Sequence, residues 1–260
     1  MHYLDWPGEA PAVVLLHPNR TNARVWDFVV DASRRATRFI APDQRGHGLS
    51  EYPEQGYELD DYVEDTIELF DALKLEKVVL VGAATGGNIA LLIGSRVPER
   101  VAALVCADAG LSLDPSINAR VQKEIKHAFR FPNLATAKAQ MPFSALWSPA
   151  MRDHYARYSF KELPSGEVEW RYHVPGASHT EHRLEEDMWH RITVRCPTLI
   201  LRGDRSAVFP PKNAAKLQGL IPGSETGEVA DCDHRISQDQ PQAFAARIDD
   251  FLARRLDRSS

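Results

Sequence analysis

The sequence predicts an α/β fold, a doubly wound and mostly parallel sheet with a helical lid insertion. Three observations carry that prediction. Four short runs, Ala12 to Leu16, Lys77 to Val81, Val101 to Cys106 and Thr198 to Leu201, are apolar without alternation, as strands buried on both faces must be. Helical patterns lie between these runs, so strand and helix alternate along the chain. From about Leu113 to about Arg195 the alternation lapses into a stretch rich in Pro, Met, aromatic and charged residues, with helical segments but no buried-strand run.

Each element follows in order. After the first strand, Leu59, Tyr62, Val63, Ile67, Phe70 and Leu73 recur at the spacing of one helical face. The second strand runs through Val79-Leu80-Val81 into a glycine-rich turn and a helix beginning near Asn88-Ile89-Ala90. The third ends at Val105-Cys106-Ala107-Asp108, with right-handed crossovers expected throughout. Beyond Thr198 to Leu201 come a helix after Pro211, a strand near Glu225 to Val229, and a last helix from about Pro241 to Leu256. Residues 1–112 and 196–260 thus form one core, and 113–195 a lid. Phe129, Phe131, Met141, Phe143, Trp147 and Tyr158 either wall a pocket beneath that lid or form its own core.

Composition narrows the function. A chain of 260 residues with 43% hydrophobic and 26% charged residues is globular and of single-domain size. It has no apolar run of the roughly 18 residues a membrane span needs, and no basic and apolar N-terminal leader. Cys106, Cys196 and Cys232 are odd in number and lack ligand spacing, which fits a reducing cytoplasm. A net charge of −5 argues against nucleic acid. The expected partner is a small-molecule substrate, with the chain a monomer or homodimer. No cofactor is implied. His179-x-x-His182, near Glu181 and Glu185, has no third ligand in context, so no metal is expected.

The chemistry concentrates in four motifs. Gly82-Ala83-Ala84-Thr85-Gly86-Gly87 follows a buried strand and opens a helix, the setting of a nucleophile elbow. Leu16-His17-Pro18-Asn19 follows the first strand, with Trp26 beyond it, and Asp43-Gln44-Arg45-Gly46-His47-Gly48-Leu49-Ser50 comes next. Asp231-Cys232-Asp233-His234 precedes Gln240-Pro241-Gln242-Ala243-Phe244 near the end. In this order the motifs resemble those of the α/β-hydrolase superfamily, and the likeness covers nearly the whole chain.

The resemblance implies roles. Ala84 stands where the family places its attacking serine, and a methyl group cannot attack a carbonyl. His234 is the implied general base. Its implied acid is Asp108, 24 residues after Ala84, with Asp204 the alternative after the later strand. Backbone N–H groups of Thr85 and Asn19 would form the oxyanion hole. Pro18 departs from the family's glycine, removing a donor and restricting φ. Arg20 could fork onto a substrate carboxylate, while Trp147, Met141 and Phe143 are candidate substrate contacts. His17 and His47 are expected to bond locally. The favoured function is hydrolysis of a small-molecule ester, lactone or amide by a Ser-His-Asp mechanism, with Ala84 marking an inactivated variant. The alternatives are a cofactor-independent dioxygenase or lyase working through a His-Asp dyad, and a non-catalytic small-molecule binder.

Overall fold

A computed structural model describes residues 1–110, 112, 114–116, 119, 129–141 and 144–256. Along the chain run β1 (Tyr3–Trp6), β2 (Glu9–Leu16), α1 (Asp27–Ala32), β3 (Thr37–Pro42), α2 (Leu59–Ala72), β4 (Val78–Ala83), α3 (Thr85–Arg96) and β5 (Val101–Ala107). Then follow β6 (Arg130–Phe131), α4 (Leu134–Gln140), α5 (Pro149–Ser159), β7 (Phe160–Glu162), β8 (Val168–Trp170) and α6 (Val174–Arg183). The chain ends with β9 (Thr198–Gly203), α7 (Pro211–Leu220), β10 (Glu225–Val229), α8 (Ile236–Asp239) and α9 (Pro241–Arg255).

Seven strands form one sheet in the order β1-β3-β2-β4-β5-β9-β10, parallel except where β1 pairs antiparallel with β3. Side chains alternate between two cores, as the strand period of two requires. Val14, Leu16, Val78 and Leu80 join α2, α3 and α7 on one face. Val13, Leu15, Val79 and Val81 join α1 and α9 on the other. Burial on both faces is why these strands read as unbroken apolar runs. The runs at 12–16, 101–106 and 198–201 fall within strands, and that at 77–81 does so from Val78 on, Lys77 lying just before β4. Apolar runs did not reveal β1 and β3, because both lie toward the open edge of the sheet and carry charged residues such as Asp5 and Arg38, which pair with each other (2.9 and 2.7 Å).

The β5–β9 crossover, expected to be helical, also contains strands. Among the described residues, β6, β8 and β7 form a separate three-stranded antiparallel sheet. They are only two or three residues long, too short for periodicity to register. Phe131, Ala137, Met141, Ala156, Phe160 and Val168 cluster there as a small core of their own. The crossover is stitched to loops at the carboxyl ends of the parallel strands: Gly48 N–H donates to Arg171 O (2.8 Å) and His173 N–H to Gly46 O (2.7 Å). In open α/β sheets that end is where ligands bind. No helix among the described residues is long and apolar enough to cross a membrane.

Candidate active site

Strand register assembles the site's centre. Ala83 pairs with Ala107 at the ends of β4 and β5, so Ala84 and Asp108 leave neighbouring parallel strands side by side. Ala84 N–H donates to Ala107 O (2.9 Å) and Asp108 N–H to Leu201 O (2.8 Å). Both residues then take positive φ, 49° at Ala84 and 51° at Asp108.

Ala84, with ψ −121°, is the N-cap of α3, a conformation that costs a residue bearing a Cβ on the order of 1–3 kcal/mol. Tight packing imposes it. A Cβ on Gly82 would lie 2.2 Å from Gly86 O, and one on Gly86 would lie 2.1 Å from Leu16 O. Only glycine permits the turn to sit so close to β2. Ala84→Gly should therefore stabilise the fold by about 1 kcal/mol, strain relief exceeding the added chain entropy. Chemical denaturation would check this, and a destabilised variant would contradict the strain.

His234 reaches Asp108 from the loop after β10. Its Nδ1 is 3.3 Å from Asp108 Oδ2, so Nδ1–H donates and Nε2 is left as the basic nitrogen. Asp108 is buried, whereas the His234 side chain keeps about 30% exposure. Asp108 Oδ1 has no hydrogen-bond partner among the described residues, leaving His234 as the carboxylate's side-chain partner. Asp204 is exposed and directed elsewhere: it accepts from the backbone N–H of Cys232 (2.9 Å) and Asp231 (3.1 Å). Those N–H groups hold its carboxyl below the ordinary value. Arg202, buried beneath, ties the rest of that loop through Phe209 O (3.1 Å) and Ser206 O (3.2 Å).

Thr85 opens α3, where the first N–H groups have no intrahelical acceptor and face outward with the positive helix end. Asn19 lies in the loop after β2, its side chain donating to Ala177 O (2.8 Å) and Glu181 Oε1 (3.1 Å) on α6. Arg20 Nε and Nη2 fork onto both Glu181 oxygens (2.7 and 2.6 Å). The fork imagined for a substrate carboxylate is thus filled by a carboxylate of the chain itself. Burial pushes the Glu181 carboxyl up, opposed by Arg20, Asn19 and the charge of His234.

Trp147 is buried with its indole N–H donating to Asp239 Oδ1 (2.8 Å), while Asp239 Oδ2 accepts the Asp233 N–H (2.9 Å) beside His234. Met141 belongs to the crossover's own core, Phe129 is exposed, and Phe143 lies outside the described residues. His179 turns to Glu58 (2.8 Å) and His182 to Glu185 (3.5 Å), so the two imidazoles do not converge. Sequence reasoning missed Glu181 and Asp239 as site-supporting carboxylates. For Glu181 the available signal was the small-residue face Gly176, Ala177 and Thr180 on α6, which marks the buried side that Glu181 shares.

His17 and His47 brace the same loops from below. His17 Nε2 accepts the Gln44 N–H (3.0 Å) and Nδ1–H donates to Pro18 O (2.8 Å). His47 Nε2 accepts the Arg20 N–H (3.1 Å) and Nδ1–H donates to Arg45 O (2.9 Å). Burial lowers them to about 4 and about 3 respectively. Both are neutral when folded and titrate near 6.5 when unfolded, so acid favours the unfolded chain. Stability should fall from about pH 6.5 toward pH 4, by up to about 1.4 kcal/mol per pH unit for each ring. Denaturant midpoints at pH 7 and 5 test this. A His47→Gln variant with an undiminished slope would remove His47 from the account.

Residues 11–241 match the family model described as the alpha/beta hydrolase fold. The chain is 26% identical over 263 residues to 2-hydroxy-6-oxo-2,4-heptadienoate hydrolase of Pseudomonas putida, covering 95% of this chain and 90% of that one. It is 27% identical over 262 residues to 2-(acetamidomethylene)succinate hydrolase of Mesorhizobium japonicum, covering 94% and 89%. Among solved structures, E-2-(acetamidomethylene)succinate hydrolase superposes with a TM-score of 0.85 at 22% identity, over 96% and 99% of the two chains.

Proposed function

Because this chain belongs to the α/β-hydrolase family, we propose that its site is that of a small-molecule hydrolase acting on an ester, lactone or amide, with Ala84 occupying the place of the nucleophile. The observation that carries the reading is the strained bend at Ala84 beside the Asp108–His234 pair. Strain of this kind persists only where the surrounding structure over-determines it, and it clusters at reactive positions. The names of the relatives, which describe hydrolases of small keto-acid and amide-bearing succinate compounds, support a carbonyl-centred hydrolysis.

With a serine at 84, His234 Nε2 would take the hydroxyl proton as the oxygen attacks the carbonyl carbon. The carbonyl electron pair would move to an oxygen facing the Thr85 and Asn19 N–H groups. Collapse of that intermediate would expel the leaving group, protonated by His234. With alanine at 84 the acyl-enzyme route is closed, and this chain is the inactivated form.

The test is Ala84→Ser. The serine form should bind a fluorophosphonate covalently, seen as one added mass, while the alanine form should not. A folded serine form that stays unlabelled would refute the reading. A second reading is favoured by one observation, an intact dyad beside a residue offering no oxygen: His234 and Asp108 alone would remove a substrate proton, as in a cofactor-independent dioxygenase or lyase. Oxygen uptake by the alanine form with heteroaromatic enols would support that reading.

A further inference from the structure

The loop after β2 has an unusual burden. Pro18 contributes no N–H and fixes its own φ, and Arg20 adopts φ 61°, left-handed for a residue bearing a Cβ. Such a bend needs outside support. Part of it comes from within the core, where Arg20 N–H donates to His47 Nε2 (3.1 Å) and to Asn19 Oδ1 (3.0 Å). The remainder comes from α6. Glu181 receives the Arg20 guanidinium through two bonds (2.7 and 2.6 Å) and the Asn19 amide through a third (3.1 Å). Ala177 O receives the same amide at 2.8 Å.

The platform is itself anchored. Thr180, one residue before Glu181, donates its hydroxyl to Tyr57 O (3.0 Å) and lies 3.0 Å from the Tyr62 hydroxyl on α2. Gly176 packs so closely on Tyr57 that a Cβ there would lie 2.4 Å from its ring. Both side chains of the Arg20–Glu181 pair are about nine-tenths buried, at 12% and 11% exposure. Water can therefore replace neither partner readily, and removing one leaves the other charged and unmatched.

We infer that Glu181 is a positioning residue: from α6 it holds the loop after β2 in the bend that presents the Asn19 N–H to the reacting carbonyl oxygen. This rests on the hydrolase reading above. Glu181 acts through Asn19 and Arg20, and the β5–β9 crossover thereby completes an oxyanion site that the core alone leaves under-supported.

The decisive experiment is amide hydrogen exchange on the chain with Ala84, comparing it with Glu181→Gln. The glutamine presents an N–H₂ group in place of one carboxylate oxygen and so breaks the fork. Exchange at Arg20 should rise about 10-fold or more, while the Ala84 amide and those of β4 and β5 keep their rates. A rise below about 2-fold, or an equal rise across β4 and β5, overturns the inference. If Glu181→Gln does not fold, the double variant Arg20→Met with Glu181→Met removes both buried charges. It should show the same rapid exchange at position 20. On an Ala84→Ser background, Glu181→Gln should lower kcat about 10-fold with KM within about 3-fold, the pattern of a lost transition-state contact. Unchanged kcat also overturns it. Should the serine form hydrolyse nothing, the hydrolase reading fails, while the exchange comparison still decides the brace.

Discussion

In a chain carrying serine at position 84, His234→Ala should lower kcat by about 10²–10⁴-fold, the range that general acid–base groups contribute. The magnitude follows from the geometry. Nδ1 faces Asp108 Oδ2 at 3.3 Å, so one nitrogen is fixed as donor and the other alone can accept the hydroxyl proton. Alanine removes the acceptor and the later proton donor together, so both halves of the cycle fail. Asp108→Asn should act through the same pair. An asparagine can turn an N–H toward the ring and favour the wrong tautomer, so a loss of similar order is expected. Asp204→Asn should change little, because that carboxylate is turned to the backbone amides of Asp231 and Cys232. Steady-state kinetics on these variants would settle the assignment. More than about a tenth of the rate retained by His234→Ala would dismiss it as the base.

Gly86→Ala should destabilise the fold by about 3–5 kcal/mol, at the upper limit of single substitutions. Its new Cβ would meet Leu16 O at 2.1 Å, Leu16 C at 2.5 Å and His17 O at 2.8 Å. All three are backbone atoms of a central strand and its following loop, so no side chain can swing aside. Either α3 or β2 must shift, and β2 pairs on both sides, with β3 and β4. The melting temperature should drop by about 10 °C in a chain of this size. Gly219→Ala is the control. It sits in α7 with nothing within 4 Å of its Cβ, and should stabilise by about 0.5–1 kcal/mol through helix propensity. Equal melting of Gly86→Ala and its parent would mean the elbow does not press on β2 as described.

Much of this architecture could be read from residue order. Unbroken apolar runs announced the buried strands, because a strand covered on both faces has no polar side to show. The turn Gly82-Ala83-Ala84-Thr85-Gly86-Gly87 announced the bend, because two of its glycines stand where any Cβ would collide with backbone. Asp108 and His234 were named together only as what the family resemblance implies, with Asp204 as the alternative acid, and in the structure His234 Nδ1 lies 3.3 Å from Asp108 Oδ2. In contrast, β1 and β3 were not announced, and β6, β7 and β8 could not be. Their length is below what a period of two can register.

What the sequence determined by itself was the set of parts: the core strands, the bend that carries Ala84, and the loops that carry Asp108 and His234. These depend on local backbone demands and short-range patterns, which each segment encodes alone. What only the tertiary structure decided was the company those parts keep. Arg20 meets Glu181 across 161 residues, and Trp147 meets Asp239 across 92. A buried charge or indole N–H must find its partner wherever folding brings one within reach, and no periodicity along the chain encodes that meeting.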